Sequence, residues 1–254
     1  MRKGLPFVIY MPLQRREFMN VVDIVILVVL GVSVVYGLYR GFVHTLLSVA
    51  CGLISVVVAL SFGPKLSAVI SGSQGVSATL ATYTDAVTRV GDYDLASTPV
   101  EQISQSGIDR VLESVSLPSS IQNILKGNLE NHVFEGTGLT TVNDYVSNTV
   151  VAVAVNVLSF LLCFAGSYLV LSVLVSLIQH VFRLPLLKQL DWLAGGAFGL
   201  LRGALILYVM FLALPILSTV IPLDSFNELI QQSTLAQVFE SDGLFASIIS
   251  GKFL

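Results

Sequence analysis

Across 254 residues, 54% of side chains are apolar and 11% charged, against roughly 25% charged in soluble domains. With a mean hydropathy of +0.84, that excludes an ordinary soluble domain. A net charge of −3 and the lack of a basic patch interleaved with aromatics give nucleic acid nothing to bind.

In lipid every backbone N–H and C=O must be paired internally, and the alternating ten-residue strands of a barrel do not occur. The fold class is therefore an all-α integral membrane protein. Four transmembrane helices are expected, with a re-entrant or interfacial half-helix and amphipathic surface helices.

Residues 1–18 form an N-terminal extension with Arg2, Lys3, Arg15 and Arg16. Two readings stand open. It lies upstream of a true start at Met19, or Gln14-Arg15-Arg16-Glu17-Phe18-Met19 imitates a twin-arginine export signal. No small-residue cleavage site with clean spacing follows.

Val21 to Leu38 and Phe42 to Phe62 are the first two spans, each long enough to cross the ~30 Å hydrocarbon core. Only Tyr39-Arg40-Gly41 joins them, so residues 19–62 are expected to form a tight antiparallel hairpin. Ser48, Gly52, Ser55 and Ala59 share one face of the second span, where small residues let a neighbouring backbone approach.

Residues 63–144 are a polar insert, too long for a plain connection. It carries nine acids against Lys65, Arg89, Arg110 and Lys126. Thr98-Pro99-Val100-Glu101 reads as a capping box opening a helix through Ile103, Ile108, Val111, Leu112 and Val115. Pro118 opens a second pattern through Ile121, Ile124, Leu125 and Leu129. Both helices are expected to lie on the bilayer surface or on each other.

The third span, residues 145–182, has no charged residue from Tyr145 to Phe182. It exceeds the membrane thickness, tilts or projects. Asn156 inside it reads as an interhelical hydrogen bond or as part of a solute path. Cys51 and Cys163 sit within apolar spans and read as packing residues.

Residues 183–221 begin with Arg183-Leu184-Pro185 and Lys188. Gly195, Gly199 and Gly203 then repeat every four residues. With the last span at Ala204 to Ile221, Asp191 to Gly199 is too short to cross and is expected as the half-helix. The partner expected for this glycine stripe is the flat face of the second span. The tail, residues 222–254, repeats apolar residues at Phe226, Leu229, Ile230, Leu235 and Val238, then at Ile248 and Ile249. It is expected along the membrane surface.

One short pattern occurs twice: Gly37-Leu38-Tyr39-Arg40-Gly41 and Gly199-Leu200-Leu201-Arg202-Gly203. Each copy is read as closing one apolar stretch and opening the next. Arg40 and Arg202 either anchor helix ends in the headgroup region or converge on Asp191. Basic residues near span ends favour the cytoplasm. Placing Arg40, Arg183, Lys188 and Arg202 inside leaves the acidic insert and both termini outside; Arg2, Lys3, Arg15 and Arg16 argue the opposite, an objection that a start at Met19 removes.

Asp23, the motif from Gly37 through Arg40 and Gly41 to Phe42, and the run from Asp191 through Gly195, Gly199 and Arg202 to Gly203 carry a resemblance. So do the spacing of four spans and the tail around Ser233 to Phe245. From residue 19 to about 245 the chain resembles the colicin V production protein family of bacterial inner-membrane proteins. That resemblance implies a non-enzymatic protein supporting production or export of a peptide toxin, and envelope function more broadly. The extension and a long insert depart from it.

No catalytic, cofactor or metal site is expected, since His44, His132 and His180 are far apart and no Gly-x-Ser-x-Gly or His-Glu-x-x-His occurs. Expected partners are membrane lipids, membrane or secretion proteins, and further copies of the chain. The alternative is a small oligomeric transporter or channel with Arg40, Arg202, Asp191, His44 and Asn156 lining a polar path.

Overall fold

The computed structural model describes residues 20–73, 90–115, 117–181, 188–220 and 243–251, with 75, 79, 82, 230, 232, 233, 235 and 236. For 178–181, 188–190, 215–220 and 243–246 it describes the backbone alone. The extension before Met19, the basic Arg183 and Pro185, and the tail positions Phe226, Leu229 and Val238 lie outside these residues.

Helices α1 (Val21–Arg40) and α2 (Phe42–Ser71) are followed by α3 (Tyr93–Ser97), α4 (Gln105–Ser114) and α5 (Ser119–Glu130). Then come the long α6 (Val142–Val181), α7 (Lys188–Val220) and the tail helix α8 (Gly243–Ser250). Among the described residues there is no strand beyond a single bridge between Pro99 and Thr141. The fold is all-α, and α1, α2, α6 and α7 are long and apolar enough to cross a membrane.

The expected tight hairpin does not form. Gly41 alone separates α1 from α2, yet α1 packs chiefly on α7, which also packs on α2. Positions on α1 and α7 run in opposite directions: Gly37 meets Gly195 and Gly199, Ser33 meets Gly199 and Gly203, and Ile26 clusters with Leu207 and Phe211. An α7 whose small residues admit α1 so closely wedges between the two partners.

The half-helix is also corrected. Lys188–Val220 is one uninterrupted helix, and its apolar stretch is Asp191–Leu214. A span starting after Arg202 follows from placing a charge at a helix end; here the arginine meets the Tyr36 ring inside the bundle and the helix runs through it.

At 40 residues, α6 is about 60 Å long, twice the hydrocarbon thickness. Its two halves have different surroundings. Val142, Tyr145, Val146, Val150, Val153, Val157 and Phe160 are buried. Leu162, Leu169, Val170, Val173, Leu174 and Leu177 are exposed apolar residues. The first half is enclosed by protein; the second matches the outward-facing apolar residues of α1, α2 and α7.

The insert provides that enclosure. Ile108 and Val111 of α4 and Ile121, Leu125 and Leu129 of α5 enter one core with α6 and with Ile248 and Ile249 of the tail. The capping box is not formed. Pro99 is extended, Val100 N–H donates to Thr140 O at 3.0 Å and Val142 N–H to Thr98 O at 3.0 Å. Helix α4 starts later, with Ser104 Oγ accepting from Gly107 N–H. The described positions of the tail pack on protein: Ile248 and Ile249 are fully buried, and Ile230 and Ala236 pack with Ile26.

Candidate functional site: two arginines on one tyrosine

Gly41 shapes the end of the bundle where α1 stops. Its φ of 82° with ψ of 173° is a conformation essentially confined to glycine. Its N–H donates to Gly37 O at 2.9 Å, closing α1. A side chain on Gly41 would collide with the Asp191 carboxylate. That carboxylate is close because Asp191 Oδ1 accepts from Phe42 N–H at 2.8 Å. A helix N-terminus has unpartnered N–H groups and a positive dipole end, and Asp191 answers both for α2.

Asp23 plays a similar part at the opposite end of the bundle. Its Oδ1 accepts from Ser233 Oγ at 2.5 Å and from Leu235 N–H at 3.2 Å. Ser233 Oγ in turn accepts from Ala236 N–H at 3.0 Å. The acid at the head of α1 thereby holds the tail.

The glycine stripe of α7 lies on α1, not on the second span. Side chains at Gly195 and Gly199 would meet the backbone of Gly37, Gly41, Ser33 and Val34, and one at Gly203 would meet Ser33 and Leu30. The close approach lets Ser33 Oγ donate to Gly199 O at 2.7 Å. Gly52 on α2 faces Leu205 instead. Both α1 and α2 present small residues, so flatness alone could not choose between them.

Arg40 and Arg202 do converge, but on Tyr36. The guanidinium carbons lie 5.6 and 4.4 Å from the ring centroid. His44 meets the same ring edge-on at 6.2 Å. Among the described residues neither arginine pairs with Asp191 or another carboxylate; the ion pair seen there is Lys126 with Glu130. Arg202 Nε and His44 Nδ1 are buried without hydrogen-bond partners. Tyr36 was not singled out from the sequence, although its i, i+4 spacing to Arg40 sets both on one helical face.

Magnitudes show why this cluster stands out. Arg202 lies roughly 21 Å along α7 at 1.5 Å per residue, far from a helix end. An arginine at membrane depth costs about 3 kcal/mol on insertion scales. A desolvated cation–π contact returns about 2 kcal/mol. Tyr36 alone does not cover the deficit, and a like charge faces the same ring.

Two cavities flank Arg202. One, of about 290 Å³, is lined by Ser48, Tyr168, Phe164, Leu205, Val209 and Met210 among others. The other, of about 300 Å³, is lined by Val28, Val32, Ser33 and Tyr36. Ile206 and Arg202 line both. Ser48 Oγ and Tyr168 OH are 3.3 Å apart.

Asn156 is elsewhere. Its Oδ1 accepts from Ser67 Oγ at 2.7 Å and its Nδ2 donates to Ile249 O at 3.3 Å, tying α6 to α2 and the tail. Ser67 is roughly 35 Å along α2 from His44. His44 and Asn156 therefore stand at well-separated levels of the bundle rather than side by side. Among the described residues no three His, Cys, Asp or Glu side chains gather as metal ligands would.

No curated protein and no solved structure matches the chain. The family described as colicin V production protein matches residues 22–88 and 135–243. These stretches contain Asp23, Gly37 to His44, Asn156, Asp191 to Gly203 and Ser233, so the helices that form the arginine cluster and the residues that latch the tail fall within them. With four spanning helices and a match over most of its length, this chain belongs to the colicin V production protein family.

Proposed function

We propose that this protein is a non-enzymatic component of the bacterial cytoplasmic membrane. It supports production or export of a colicin V-type peptide toxin, and upkeep of the envelope, by acting through partner proteins. The observation that carries this reading is the family match across both halves of the bundle. The charge asymmetry supports an insert and both termini on the outer side.

Two measurements test it. Cells deleted for the protein and carrying a colicin V-type toxin should export less toxin, with restoration by the intact chain; unchanged export overturns the role. Crosslinking in native membranes should capture a secretion or envelope protein. Capture of further copies of this chain alone favours the alternative, a small oligomeric transporter, which the cavities beside Arg202 support. For orientation, Ser106→Cys should react with an impermeant thiol reagent in intact cells and Tyr39→Cys should not; the reverse labelling overturns the topology.

A further inference from the structure

We propose that Arg202, with Arg40, His44 and the Tyr36 ring, is a binding site for an anionic phosphate, presented by a lipid headgroup whose acyl chain lies between the helices. This goes beyond the toxin-production reading and does not depend on it.

Three observations converge. Two arginines contact one aromatic ring, and among the described residues neither pairs with a carboxylate. Asp191, the acid beside Gly41, accepts from the α2 backbone and makes no ion pair with either arginine. Arg202 Nε and His44 Nδ1 are buried and unpartnered, and buried polar atoms in native proteins usually have partners. A phosphate oxygen supplies an acceptor to guanidinium N–H groups and a charge to both arginines.

The cavities select the form in which that phosphate arrives. Both are bordered by apolar residues that face outward, Ile206 and Met210 on one side and Val28 and Val32 on the other. They therefore open sideways towards hydrocarbon rather than to water. Besides Arg202, Ser48 and Tyr168, the first cavity is lined by the apolar Phe164, Val209 and Met210. A few polar groups in a mainly apolar lining fit a headgroup with its chain better than a free ion.

The test uses the full chain in mild detergent, with lipid retention read by native mass spectrometry. Wild-type protein should retain phosphatidylglycerol over phosphatidylcholine, and phosphatidylglycerol should raise its thermal midpoint. Arg202→Gln should reduce that retention about tenfold, as expected for losing a charge-assisted bond. Met210→Trp keeps both arginines but fills the chain groove, and should also reduce retention.

Displacement of the lipid by millimolar inorganic phosphate would support the anion site while assigning it to a free ion. Equal retention of the two lipids by wild-type protein overturns the proposal, and so does undiminished phosphatidylglycerol retention by Arg202→Gln. Should Arg202→Gln fail to fold, the wild-type lipid comparison and Met210→Trp decide.

Discussion

The two copies of Gly-Leu-x-Arg-Gly share four letters in five and do different things. In the first, Gly41 breaks the chain between α1 and α2 with a backbone only glycine adopts readily, and Arg40 is left exposed at the helix end. In the second, the helix runs on, Gly199 and Gly203 are contact points with α1, and Arg202 is drawn in beneath Tyr36. A glycine's role is set by what approaches it: the Asp191 carboxylate in one case, a helix backbone in the other.

That contrast yields an ordered set of substitutions. Gly199→Leu should have the largest effect, destabilising the bundle by about 3 kcal/mol or more, because the carbonyl of Ser33 and the backbone of Val34 occupy the space. Unfolding in mixed detergent would measure it, and near-normal stability would refute close packing of α1 on α7. Gly41→Ala should follow at about 2 kcal/mol from backbone strain and from collision with Asp191. Were it no worse than Gly203→Ala, the distinction between turn glycine and contact glycine would fail.

Asp191→Ala should cost about 1 kcal/mol, the usual loss for a helix cap, and Asp191→Asn less. Leu200→Phe should be nearly silent, within about 0.5 kcal/mol, since Leu200 is 50% exposed. A large loss there would place a protein surface where this structure has an outward face. Disulfide trapping sharpens the same comparison. Cysteines at Ser33 and Gly203 should crosslink, whereas Gly52 with Gly199 should not.

The spans, the all-helical class and the glycine turn were legible because each rests on local chemistry: twenty apolar residues, absent strand alternation, one Gly-flanked arginine. Partner choice was not local. Ser33 and Gly37 on α1 and Ser48, Gly52, Ser55 and Ala59 on α2 offer equally small surfaces, and only the packed bundle shows which one the glycine stripe of α7 takes.

The sequence starts the fourth span too late because a guanidinium is expected at a helix end; in the bundle the Tyr36 ring meets Arg202 within the helix and offsets part of its cost. The tail was assigned to lipid because an amphipathic pattern states that one face is covered without stating by what. Asn128, which donates to Thr149 Oγ1 at 2.9 Å inside the insert core, left no periodic signal at all.

The bond from Ser33 to Gly199 O spans 166 positions of chain. At about 5–20 residues per second of synthesis, roughly 8 to 33 seconds separate the emergence of its two ends. Throughout that interval α1 is in the membrane with its small-residue groove uncovered, and neither α7 nor the segment around Ser233 exists to fill it. Biogenesis therefore needs a temporary companion for α1, lipid or insertion machinery, that yields its place when the ribosome delivers α7.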